Sequence, residues 1–72
     1  VAPEAFRACV ELRESGNGAG GSNLYGITAP AWRGVLGLPG DGWHASPALQ
    51  LQAFEMLYAR FGPSAWRPWD GC

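Results

Sequence analysis

The 72-residue chain has no lysine, one histidine, one methionine and two cysteines. Its basic side chains are five arginines, scattered at positions 7, 13, 33, 60 and 67, against six acidic residues, for a net charge of −1. Without a clustered basic face, neither nucleic acid nor an anionic membrane is expected as a partner. No apolar run approaches the roughly 18 residues of a membrane span. No signal-peptide pattern is visible, which leaves open a cleaved signal or a longer parent chain. One histidine and two distant cysteines are too few for a structural zinc site, so no metal or cofactor is expected. The chain is also too short for a dinucleotide-binding βαβ fold or a barrel. It reads as one domain over residues 1–72, expected to bury only about 60% of its unfolded surface. With 47% hydrophobic and 15% charged residues it is globular rather than disordered.

A domain this small needs help, and the cysteines suggest its form. Cys9 and Cys72 stand near opposite ends. A bond between them would close nearly the whole chain, worth about 4 kcal/mol by loop entropy, and would imply an oxidising, extracytoplasmic setting. The alternative is two unrelated thiols.

The apolar pattern is helical. Phe6, Cys9 and Val10 share a face of a helix over Pro3–Ser15, with Arg7 and Glu11 on the other side and Gly16 ending it. Asn17 to Asn23 is a loop with three glycines. Thr28 caps a second helix, with Pro30 in its first turn and Trp32, Val35 and Leu36 as its apolar face. Ser46-Pro47 opens the longest helix, Pro47–Phe61, apolar around much of its circumference and therefore central, and Gly62-Pro63 closes it. Ser64–Cys72 reads as a short turn or 3₁₀ segment carrying Trp66 and Trp69. Nothing alternates in strand fashion, so the fold class is mainly α with little or no sheet.

Gly16 to Gly21 formally matches G-x-G-x-x-G, but it follows a helix rather than a strand and no Walker lysine follows it. A flexible linker is the simpler reading. Glu14 carries more information. The stripe Phe6, Val10 continues by four onto Glu14, placing a carboxylate on the inward face at the negative end of a helix dipole. Burial and the dipole would raise its pKa toward the range a general acid needs, with an activity optimum of roughly pH 5–6. Spacing alone favours a plainer alternative, a frayed last turn with Glu14 paired to Arg7 or Arg13. The four tryptophans shift the balance. Trp32 and Trp66 suit a small core, whereas a loop tryptophan such as Trp43 suits a groove for sugar rings. His44 reads as a loop residue.

Arg13-Glu14-Ser15-Gly16-Asn17 at the end of the first helix resembles the signature of the transglycosylase-like domain of resuscitation-promoting factors and related actinobacterial and actinophage wall enzymes. The likeness continues in Cys9, five residues before the glutamate, and in Tyr25 to Trp32 (YGITAPAW). It extends through Ala45-Ser46-Pro47 with Gln50, Ala53 and Leu57-Tyr58, and through the closing Trp66, Pro68 and Cys72. It covers residues 6–72. Two departures stand out: the family's glutamine falls on Gly26, and the loop after Asn17 lacks the usual aromatic residue.

The resemblance implies a compact lysozyme-like domain that cleaves the β-1,4 bond between N-acetylmuramic acid and N-acetylglucosamine of peptidoglycan. It implies Glu14 as the catalytic acid, a Cys9–Cys72 disulfide and substrate contact at Thr28. Tyr25, Asn17 and Trp43 are further candidates for substrate binding. Asp41, in the Gly40-Asp41-Gly42 turn, is the candidate second carboxylate. With one carboxylate, a lytic transglycosylase route is natural; with water as nucleophile the enzyme is a muramidase. The expected partner is a glycan strand. The chain is expected to be monomeric, outside the cell, or part of a larger wall or phage tail protein. A non-catalytic peptidoglycan-binding module and a phage structural module are the rival readings.

Overall fold

Proline and glycine set most of the helix ends. The computed structural model describes residues 1–18 and 23–72. The glycine-rich stretch 19–22, with part of the loop and of the G-x-G-x-x-G pattern, lies outside the described residues. Helix α1 spans Glu4–Ser15, entered from Pro3 and left through Gly16, whose positive φ of 59° lets its N–H bond Leu12 O at 2.8 Å. Asn17 follows with φ 60°, a conformation asparagine adopts more readily than most residues. Arg7 bonds Glu4 and Glu11, each at 2.7 Å, and so is committed on the outer face.

A π-helical segment covers Pro30–Val35 where an α-helix was expected. Thr28 does cap it, its Oγ1 accepting from Ala31 N at 3.3 Å. The Leu36 N–H then reaches back five residues to Ala31 O at 3.0 Å. The wider turn brings Trp32 and Leu36 into the core together and leaves Val35 exposed, so the expected apolar face loses one member. The Trp32 indole donates to Pro39 O at 2.9 Å, which satisfies its one polar atom in a fully buried position.

Helix α2 spans Pro47–Phe61, with Ser46 Oγ accepting from Leu49 N. It is the central helix, burying Gln50, Ala53, Phe54 and Leu57, although Leu51 and Phe61 stay exposed. A 3₁₀ turn, Gly62–Ala65, leads to the one-turn helix α3, Arg67–Asp70. No strand occurs among the described residues.

The core is aromatic. Phe54 is fully buried, with Trp66 at 4.6 Å and Tyr25 at 4.7 Å between ring centroids. Phe6 of α1 joins from the side at 5.5 Å from Tyr58. Burial of one such side chain contributes about 1.5–3 kcal/mol. Two buried polar links tie the loops to this core. The Trp66 indole donates to Tyr25 O at 2.9 Å. Gln50, 2% exposed, accepts from Leu24 N at 2.7 Å and donates to Ala45 O at 2.8 Å.

Cys9 and Cys72 form a disulfide across a sequence separation of 63, with Cα atoms 6.0 Å apart. It joins the middle of α1 to the chain beyond α3. Its removal is expected to cost about 4 kcal/mol, and hence on the order of 15–30 °C in Tm for a domain of this size. Differential scanning calorimetry with and without reductant measures this. The oxidised protein should weigh about two mass units less than the dithiol.

Candidate functional site

Three separate stretches of chain converge on the last turn of α1. Glu14 is half-buried there. Beneath it runs the Tyr25–Thr28 segment, anchored by Asn23 Nδ2, which donates to Ile27 O at 3.0 Å, and by the indole of Trp66 on Tyr25 O. Gly26 has φ +64°, and a Cβ at this position would lie 2.6 Å from Glu14 Cδ and closer still to Oε1. Only glycine permits both the backbone turn and the seat of the carboxyl. Gly26 is therefore the residue on which Glu14 rests.

A cleft of about 510 Å³ opens from this point. Its polar lining is Glu14, Thr28 and Asp70. Val35, Leu57, Phe61 and Trp66 form an apolar wall, and Trp69, 77% exposed, stands at the rim. The volume falls within the range of small-molecule sites. No arginine lines it among the described residues.

The electrostatics follow from this lining. Burial raises the Glu14 pKa, and a hydrogen bond to the Asp70 carboxyl and the charge of Asp70 raise it further, to about 7. Glu14 makes no ion pair with Arg7, which is held by Glu4 and Glu11, and none with Arg13 among the described residues. Asp70 Oδ2 is itself buried and receives no hydrogen bond from a described donor.

The other residues expected at the site are placed as follows. Thr28 lines the cleft. Tyr25 is buried against Phe54, its hydroxyl near Arg7 Nη1 at 3.4 Å, and serves the site through its backbone carbonyl. Asn17 lies beyond the α1 terminus, and its backbone conformation continues the helix cap. Neither it nor the exposed Trp43 lines the cleft. Asp41 is not the second carboxylate of this cleft. It caps its own turn, accepting from His44 N at 3.0 Å and pairing with His44 Nδ1 at 2.9 Å. Burial is the largest single influence on Asp41 and opposes its ionised form, but the bonds from His44, with its charge and the Trp43 backbone, together hold the carboxyl below the usual range. The carboxylate beside Glu14 is Asp70. The available signal was its position two residues before Cys72, which a bond to Cys9 brings against α1.

Comparison with known proteins gives no match: no protein family, curated protein or solved structure is detectably similar to this chain. Among the described residues no helix is long and apolar enough to cross a membrane, and no group of three or more His, Cys, Asp or Glu side chains is placed to hold a metal ion.

Gly26→Ala tests the seat of Glu14. The added methyl is strained by φ and collides with the carboxyl, so the expected cost is about 1–3 kcal/mol in denaturant unfolding. The φ strain accounts for this cost, and the displaced carboxyl should also titrate differently; an unchanged Glu14 titration would mean that it does not rest on residue 26.

Proposed function

We propose that this cleft cleaves the β-1,4 glycosidic bond of a peptidoglycan strand, with Glu14 as general acid. The observation that carries the reading is a half-buried carboxyl beside a second one in a cleft walled by apolar side chains and rimmed by an exposed indole, where burial and Asp70 push its pKa up to about 7. Proton donation to a leaving group near neutral pH calls for such a group. Aromatic faces beside polar groups suit sugar rings. The resemblance of the Glu14 and Tyr25–Trp32 motifs to a transglycosylase-like domain supports the same substrate. The disulfide suits an extracytoplasmic site of action.

In this mechanism Glu14 gives its proton to the glycosidic oxygen as the C1–O bond breaks and the muramyl ring becomes oxocarbenium-like. The leaving sugar departs as an alcohol. The Glu14 carboxylate then takes a proton from the nucleophile. If that is the muramyl 6-hydroxyl, O6 closes on C1 and a 1,6-anhydro ring results; if it is water, the product is a reducing sugar. Either way Glu14 ends protonated.

Turbidity loss of purified peptidoglycan, with mass spectrometry of the products, tests the reading. Glu14→Gln should abolish solubilisation and leave the fold intact. A non-catalytic glycan-binding module would instead bind the strand equally in both forms and release nothing, and a structural module would not bind it.

Glu14 also predicts a pH signature. Its folded pKa of about 7 exceeds the ordinary glutamate value of 4.5. Between these values the folded state binds more protons than the unfolded state, so stability falls as pH rises through this window and levels off above it. Glu14→Gln should flatten this slope in melting curves recorded from pH 4 to 8. The wild-type rate should fall as pH passes about 7, so its basic limb lies above the pH 5–6 optimum expected from the sequence.

A further inference from the structure

The Glu14 and Asp70 carboxyls both line the cleft, and among the described residues nothing cationic does. From the π segment, α2 and the 3₁₀ turn only apolar groups line it. From the Tyr25–Thr28 segment come only Gly26 and Thr28, so the charge facing Glu14 is that of Asp70. Asp70 is in turn unserved, since its buried Oδ2 receives no hydrogen bond from a described donor. The Cys9–Cys72 bond tethers the chain two residues beyond Asp70 to α1, and Gly26 leaves Glu14 the space to lie there.

We propose that Asp70 is the positioning residue of Glu14, the two carboxyls forming a pair that holds a single proton at the floor of the cleft. Two carboxylates do not hydrogen-bond to each other; the bond exists only when one of them is protonated. This also separates Asp70 from the second carboxylate of ordinary glycosidases. That partner stands about 5–9.5 Å away, across the sugar, with room for C1 or a water between the groups. A carboxyl close enough to share the acid's proton leaves no such room. Asp70 acts through Glu14 instead. Before reaction it keeps the proton in place. Once Glu14 has given that proton to the leaving oxygen, two anions face each other, and Glu14 becomes a stronger base for the proton of the incoming hydroxyl. One proton leaves the pair and one returns.

The role in bond cleavage rests on the function proposed above, whereas the shared proton does not. Two measurements keep them apart. The first is titration of the Glu14 side-chain carboxyl by carbon-detected NMR in the oxidised protein without substrate. In the wild type it should titrate near neutrality, and in Asp70→Asn about one pH unit or more lower. Asp70→Ser, smaller and uncharged, serves as the second variant should the amide disturb folding. The second measurement is the pH profile of peptidoglycan solubilisation. Its basic limb should move down by the same interval in the variants, with activity on the acid side retained and Asp70→Glu restoring the wild-type profile. A Glu14 that titrates in the ordinary carboxylate range in the wild type overturns the proposal, and so does one unchanged in a folded Asp70 variant. A shifted titration together with a wild type that solubilises nothing at any pH upholds the shared proton and overturns both the glycosidase reading and the role in cleavage.

Discussion

The covalent tie between residues 9 and 72 is the constraint on which the remaining geometry depends. α3 is a single turn with no buried residue of its own. A helix that short has no intrinsic stability in water. It stays in place because Trp66 precedes it, packed on Phe54, and because Cys72 follows it, bonded to α1. The tether thus brings Trp69 and Asp70 to the cleft from a part of the chain that could not order itself. Loop entropy describes its effect on the unfolded state. Its effect on the folded state is to make one wall of the cleft.

That wall introduces a conflict. A carboxylate at a helix C-terminus is already disfavoured by the helix dipole, and here a second carboxylate is placed beside it with no cation to relieve either. A stability-driven arrangement would put arginine or glutamine at position 14 or 70. Sites that sacrifice stability in this way tend to be functional. The five arginines are absent from the cleft lining, so the charge of the pair is left to a proton rather than to a counterion.

The legible parts of the fold were those governed by local chemistry. Ser46-Pro47 and Gly62-Pro63 bound α2, and Gly16 ends α1, because caps and breakers act within a few residues. The stripe from Phe6 and Val10 pointed Glu14 inward, where it is half-buried, although spacing alone favoured a frayed last turn. The π register was not legible, since a segment of six residues is too short for periodicity to distinguish one helical pitch from another. Asp41 drew attention because it stood in a glycine turn, yet an aspartate in a turn commonly bonds the backbone a few residues on, as it does here with His44. Asp70 was missed for the opposite reason: its position depends on a contact between residues more than fifty apart, which no local pattern records. Gly26 looked like a lost polar contact, and only the three-dimensional seat of Glu14 shows what its missing side chain allows.

Gln50 has a mechanical consequence. Its amide holds Leu24 with one end and Ala45 with the other, so the intervening chain is a large loop clamped at its neck by one side chain of α2. The loop carries Thr28 and Val35 of the cleft, with Trp32 as the plug that seats it in the core. The loop is thus held at both ends and at its middle, restrained as one unit rather than from one end alone. The clamp and the plug therefore fix where Thr28 and Val35 stand in the cleft wall, at a distance from the carboxyls themselves. A glutamate at position 50 would keep the acceptor for Leu24 and lose the donor for Ala45, opening the neck on one side only.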